Sequence, residues 1–262
     1  MNLLAIDAAT EKFSVALGAA SSTWLFQADA GLRHSELLMD CIDTLFKTAG
    51  LGPNDLSGVV CTGGPGSFTG LRIGFSVAKG LALSLDIPFA AIPTLDCMAR
   101  PLRSWPGIVV PVLDAKKKAF FCALYEDGKK LCPDMDAEPV EIAEELGRGI
   151  GRVSHGGTEA RRGERGMGNG EWGMGGDQER REAETVGQAV LFGPGAVLLY
   201  EGLQGAGCDV GGVRLGKDIR WGNAETLLQI AVEKNIFANN VVDYSIGPEY
   251  IRKSDAEIQK NL

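Results

Sequence analysis

The chain has 262 residues, 45% of them apolar and 23% charged, enough to bury a sizeable core in one domain or two lobes without disulfides or metals. It carries 26 Lys+Arg against 34 Asp+Glu, a net charge of −8, with a pI near 4.9. Such a balance excludes a protein that grips nucleic acid by its bulk charge, since that affinity comes largely from cations displacing phosphate counterions. Glycine is the outlier at 36 residues, roughly twice average usage.

The first six residues meet Asp7 before an apolar run can form, and no basic segment precedes them, which predicts no export signal and a cytoplasmic location. Leu3 to Ile6 reads as a buried strand, Asp7 to Lys12 as a turn, and Phe13 to Leu17 and Thr23 to Ala28 as two more strands of an antiparallel meander. His34 to Ala49 has helical periodicity and stops at Gly50. Leu56 to Thr62 is a predicted strand, and a glycine-rich segment leads into a helix from Phe68 to Leu85. Pro88 to Ile92 is a strand, followed by a short helix from Thr94. Arg72, Lys79 and Asp86 interrupt the most apolar long stretch, Phe68 to Ile92, so it is not a membrane span.

A second lobe is expected over 106–262, after a first lobe over 1–105, with the option that the C-terminal helix packs back on the first. Ile108 to Leu113 and Ala119 to Tyr125 read as strands around the turn Asp114 to Lys118. Pro139 to Leu146 reads as a short helix, Val190 to Phe192 as a strand, and Ala196 to Gly202 and Ala224 to Ala238 as helices. Strands alternating with helices after an initial meander predict an α/β protein with mixed sheets flanked by helices. Gly156 to Gln188 breaks the pattern: 33 residues hold ten glycines and twelve charges, with no Leu, Ile or Phe. Such a composition cannot offset its ordering entropy, so a disordered insertion is expected. Its five arginines suggest an RNA contact, but seven interspersed acids cancel them.

Few residues can carry chemistry. The six cysteines (41, 61, 97, 122, 132 and 208) form no CxxC pair and read as reduced core filler. The two histidines, His34 and His155, are too few and too far apart for a metal or triad centre, which usually draws on clustered ligands. The stretch Gly63 to Gly74 follows a strand and opens a helix, where free N–H groups favour an anion. It lacks the Lys of a P-loop and the spacing of a dinucleotide turn, so close helix packing is the competing explanation. The turn Asp7 to Thr10 is similar to the phosphate turn of sugar kinases and actin, yet Asx turns use the same residues structurally. Asp7, Thr10, Gly64, Gly66 and Ser67 are therefore a candidate, degenerate nucleotide or anion turn. The helices at 34–49 and 68–85 show more apolar surface than one core needs, and the second, apolar nearly all round, lies deep between layers or under a second chain.

Three strings together carry a family resemblance: Leu3-Leu4-Ala5-Ile6-Asp7-Ala8-Ala9-Thr10-Glu11, Arg33-His34-Ser35-Glu36-Leu37-Leu38, and Gly64-Pro65-Gly66-Ser67-Phe68-Thr69-Gly70-Leu71-Arg72-Ile73-Gly74. They resemble the bacterial TsaB (YeaZ) family, densely over residues 1–125 and not at all over 156–188. The resemblance implies an actin/Hsp70-like (ASKHA) double lobe. It also implies a non-catalytic part in forming N6-threonylcarbamoyladenosine beside the anticodon of tRNAs that read codons beginning with A. In that scheme the paralogue TsaD transfers the threonylcarbamoyl group, TsaE is a supporting ATPase, and TsaB binds TsaD and keeps it competent. It implies a homodimer when TsaD is absent, tRNA held mainly through the complex, no membrane, and no cofactor of its own, with ATP or ADP and metal on partner subunits. The family's pairing helices would place Leu38, Ile42, Leu45, Phe68, Leu71, Phe75 and Ala78 at the partner interface. Two alternatives stay open: a metallopeptidase of the glycoprotease type, and a nucleotide-binding phosphotransferase of the same fold.

Overall fold

The computed structural model describes residues 1–19, 22–29, 34–160, 188–216, 223–238 and 245–249. The chain divides into two units, Met1–Pro101 with Arg220–Leu262, and Leu102–Ile219. The second unit thus ends before the C-terminal helix instead of running to 262, because that helix covers a face of the first sheet.

In the first unit, β1 (Asn2–Asp7), β2 (Lys12–Ala19) and β3 (Ser22–Asp29) form the meander, and β4 (Gly58–Thr62) and β5 (Phe89–Ile92) extend it in parallel, giving the order β3-β2-β1-β4-β5. Strand β4 is buried throughout, whereas exposed and half-buried residues alternate along β3 at the edge. Buried parallel strands need apolar side chains on both faces, while an edge strand needs them on one. Side chains alternate across a strand. Leu4, Ile6, Val15, Leu17, Val59 and Cys61 therefore face α1 (His34–Ala49) and α2 (Phe68–Leu85). Leu3, Ala5, Ala16 and Val60 face α3 (Thr94–Ala99) and the C-terminal helix. The same alternation puts Asp7, Ser14 and Thr62 on this second face, and the pairing of Asp7 with Ser14 and of Ile6 with Cys61 sets them side by side.

In the second unit, β6 (Ile108–Asp114), β7 (Phe120–Cys122), β8 (Tyr125–Glu126), β9 (Lys129–Lys130), β10 (Met135–Ala137), β11 (Ala189–Phe192) and β12 (Val213–Leu215) form a seven-stranded mixed sheet. Its main path is β10-β7-β6-β11-β12. Helices α4 (Pro139–Ala160) and α5 (Ala196–Gly205) pack Ile142, Leu146, Leu199 and Leu203 against Val110, Val112 and Leu191. The strand expected over 119–125 is split into β7 and β8. Helix α4 outruns its expected end at 146 and continues to Ala160, into the stretch assigned to the insertion from 156. The remainder of that stretch, 161–187, lies outside the described residues. Each unit is a mixed sheet flanked by helices, the class that strand and helix alternation predicts. The C-terminal helix, α6 (Ala224–Glu233), completes the first unit, shorter than the expected 224–238 because Lys234 to Ala238 form turns.

Candidate functional site

The candidate turn is a closed junction of the chain with itself. Asp7 ends β1, fully buried on the face toward α6. Its Oδ1 accepts from the Ala9 N–H at 3.1 Å and the Thr62 hydroxyl at 3.1 Å. Its Oδ2 accepts from the Asn223 N–H and the Asn223 Nδ2, each at 3.0 Å. Burial pushes the Asp7 carboxyl up from its ordinary range, and it outweighs these four bonds, which pull the other way. All four donors are neutral, so among the described residues no hydrogen-bonded cation relieves the buried charge.

Asn223 directly precedes α6, and its side chain bonds Asp7 instead of capping its own helix. The Ser14 hydroxyl accepts the next N–H, that of Ala224, at 3.1 Å. The first N–H groups of a helix lack partners within it, and its N-terminus favours negative charge. Asp7 and Ser14 supply both from the sheet. Asp7 is thus the anchor of α6.

The glycine loop is equally committed. The Ser67 N–H donates to Ala9 O at 2.7 Å, Thr94 N–H to Gly64 O at 2.7 Å, and Glu249 N–H to Gly63 O at 2.7 Å. A Cβ on Gly66 would collide with Ala9 O, one on Gly70 with Ala8 O, and one on Gly64 with Glu249 O. The space that a phosphate would need against this loop holds the β1–β2 turn and residue 249. Ser67 caps α2 by accepting the Gly70 N–H at 3.2 Å. Thr10 turns its hydroxyl onto Lys12 O at 2.8 Å. Asp7, Thr10, Gly64, Gly66 and Ser67 do come together, as part of the packing that seats α2 and α6 on the sheet. Close packing, the alternative to anion binding, accounts for Gly64, Gly66 and Gly70. Thr62, Ser14 and Asn223 are not singled out by the sequence. The available signals were hydroxyls at the ends of apolar strands and an Asn just before a helix.

Cys61 and Cys97 lie beside this junction, both buried, their thiols pushed up by burial and then by the Asp7 charge. Nucleophilic chemistry needs the thiolate, so both remain inert filler. Among the described residues, no three His, Cys, Asp or Glu side chains converge as a metal centre.

The sequence profile of the tRNA N6-adenosine threonylcarbamoyltransferase family, TsaD, matches residues 28–161. The tRNA threonylcarbamoyladenosine biosynthesis protein TsaB of Bacillus subtilis is 33% identical over 164 residues, which cover 59% of this chain and 71% of that protein. The chain belongs to the TsaB/YeaZ family. The TsaB of Escherichia coli is 33% identical over 128 residues, 48% of this chain and 55% of that protein, so the match spans little over half of that relative. A Pseudomonas aeruginosa crystal structure, described as similar to peptidase YEAZ, superposes with a TM-score of 0.65 at 21% identity. It covers 96% of this chain and 99% of the Pseudomonas chain, so the TsaB-family fold runs through both units.

The interface expected of a TsaB-family chain needs correction. Leu38, Ile42, Leu45, Leu71, Phe75 and Ala78 are buried in the first unit's own core, Leu45 at 6% exposure and Leu71 at 2%. Of the seven residues expected there, only Phe68 reaches the surface, at 36%. The reason is helical phase. On α2, Gly70, Leu71, Gly74, Phe75, Ala78 and Ala82 share the inward arc. Arg72, Ser76 and Leu83 fall on the opposite side at roughly 100° per residue, whereas Phe68 is nearly in phase with Phe75 and is exposed as the first residue of the helix. Helix α1 likewise buries Leu38, Cys41, Ile42, Leu45 and Phe46 and exposes Met39 at 49%. The outward apolar groups of these helices are Met39, Phe68 and Leu83. The Arg72 guanidinium stacks 3.7 Å from the Phe68 ring centre, covering part of it.

Proposed function

We propose that this chain is a non-catalytic accessory subunit for N6-threonylcarbamoyladenosine formation in tRNA, which binds the TsaD-type transferase and keeps it active, with TsaE supporting turnover. The TsaB relatives are named for that biosynthesis. The observation that carries the non-catalytic part is the commitment of Asp7. The carboxylate that a phosphotransferase of this kind would aim at a metal-bound phosphate accepts four hydrogen bonds from its own chain and anchors a helix. The glycine loop that would cradle the phosphate is filled by Ala8, Ala9 and Glu249. The transfer chemistry, with ATP or ADP and metal, then belongs to partner subunits.

Met39 and Leu83 on the outer sides of α1 and α2, with Phe68 at the start of α2, are the apolar groups that this reading gives to TsaD, or to a second copy when TsaD is absent. Among the described residues no helix is long and apolar enough to cross a membrane, which suits work on tRNA in the cytoplasm. The test is replacement. In a strain whose own TsaB gene is removed, expressing this chain with its cognate TsaD should restore threonylcarbamoyladenosine, read by mass spectrometry of tRNA nucleosides. TsaD should co-purify with it. A folded chain that captures no TsaD and restores no modified nucleoside sinks the reading.

A further inference from the structure

Strand β3 closes one end of the first unit's sheet, and its outer edge carries none of the usual protection. All eight of its residues pair one for one with β2, from Lys12 with Asp29 to Ala19 with Ser22, without a bulge. At roughly 3.3 Å per residue the edge runs about 26 Å. Among the described residues no further strand pairs with it. An open edge presents unpaired N–H and C=O groups, which proteins blunt with Lys, Pro, a bulge or a short strand. Strand β3 uses none of these, and its one charged residue, Asp29, stands at its end.

The side chains of β3 are self-complementary about its middle. Trp24, Phe26 and Ala28 lie half-buried against the core that α1 and α2 share with the sheet. Leu25 belongs to the other face, 42% exposed, between the exposed Thr23 and Gln27. Antiparallel partners share a face, so a strand meeting its own copy across a two-fold axis pairs residues an even number of positions apart. An axis at Leu25 sets Leu25 opposite Leu25, Trp24 opposite Phe26 twice over, and Thr23 opposite Gln27. Each exposed leucine then covers the other, and two aromatic pairs form across the junction, contacts that stabilise a sheet. Each Asp29 falls beyond the paired stretch, away from its counterpart. A parallel arrangement would set Asp29 beside Asp29, and like charges side by side oppose pairing.

We infer that the open edge of β3 is the pairing site for a second copy of this chain, joined antiparallel about Leu25 so that the five-stranded sheet is doubled. This surface is backbone and strand, separate from Met39, Phe68 and Leu83 on the helices. It goes beyond the proposed function and needs no transferase.

The test uses the full chain alone, in sedimentation over a concentration series. Wild type should be a dimer that dissociates on dilution. Leu25→Lys and Leu25→Glu each set like charges face to face at the axis, and each should weaken the dimer by at least about tenfold. Both should keep their fold by circular dichroism, because Leu25 already meets water. Mixed together, the Lys and Glu forms should recover a dimer holding one of each. A second measurement needs no variant: amide hydrogen exchange over residues 22–29 should slow as the wild-type concentration rises. That measurement decides the matter if a Leu25 variant fails to fold. A wild-type chain that stays monomeric at every concentration would overturn the inference. So would a dimer whose β3 exchange ignores concentration, or one that folded Leu25→Lys leaves intact. A dimer lost in Met39→Glu with Leu83→Glu but kept in Leu25→Lys would place the pairing on the helices and also overturn it.

Discussion

Asp7 joins two parts of the chain that are 216 residues apart, and its chemistry is that of a buried acceptor. In Asp7→Asn the side-chain amide presents two donors to a site whose backbone partners, Ala9 and Asn223, are themselves donors. At least one buried N–H then loses its acceptor, a loss of roughly 1–3 kcal/mol. Thr62→Val removes one donor and leaves nothing charged unpaired beyond what Asp7 already bears, so about 1 kcal/mol is expected. The pH dependence gives a sharper reading. A carboxyl raised above its ordinary value of 3.8 holds its proton in the folded state while the unfolded chain has lost it. Its stabilising contribution is therefore complete below 3.8 and declines as pH rises through the folded value. Urea midpoints measured across the weakly acidic range should show wild type losing stability with rising pH relative to Asp7→Asn. A difference curve that is flat, or that rises with pH, would show that the bonds from Asn223, Ala9 and Thr62 outweigh burial.

At the scale of elements, α1 and α2 show what periodicity reveals and what it hides. The helices themselves, His34–Ala49 and Phe68–Leu85, follow from apolar spacing and from a strong stop at Gly50. Which of their apolar residues point inward depends on the sheet they meet, and an apolar arc wider than one core needs leaves that choice open. Leu45 packs in the core on the sheet and Leu71 is buried at 2% exposure, so a carboxylate at either is a folding defect instead of a probe of partners. Leu71→Glu should cost several kcal/mol, as an unpaired buried charge does, and leave little soluble protein. Met39→Glu and Leu83→Glu should each stay within about 0.5 kcal/mol of wild type, because their side chains already meet water, while Phe68→Glu should cost about 1 kcal/mol through its stacking on Arg72. If the outer faces meet TsaD, Phe68→Glu with Leu83→Glu should lower TsaD capture by at least about tenfold while the chain stays folded by circular dichroism. Retained capture in the folded double variant would remove α2 from that contact. Gly66 and Gly70, around the start of α2, are ambiguous in sequence for a different reason. Glycine before a helix serves anion binding and close backbone approach alike, and only the position of Ala8 O and Ala9 O decides between them.

The first unit is discontinuous in sequence, which sets how the whole molecule can fold. Residues 1–101 supply the five strands and three helices, but one face of that sheet is closed by residues from beyond 220. Leu227, Leu228, Ile230 and Phe237 pack on Leu3, Ala16 and Val60 there, and Asn223 and Ala224 satisfy Asp7 and Ser14. Full burial of four such side chains contributes roughly 1.5–3 kcal/mol each. Their sum, roughly 6–12 kcal/mol, is as large as the whole net stability of an ordinary domain. A fragment of residues 1–101 would also expose Asp7 with two of its four donors missing. That fragment should be unfolded or aggregated, without sharp near-ultraviolet circular dichroism and without a cooperative melt. The second unit, Leu102–Ile219, is contiguous and encloses its own core around Val110, Val112, Ile142 and Leu191. As a separate fragment it should fold and melt cooperatively. Adding residues 220–262 in trans to the 1–101 fragment should recover part of its structure, and the Asn223→Ala form of the added segment should recover less. Cooperative folding of 1–101 alone would mean that α6 rests on a unit already complete, and that Asp7 does not depend on it.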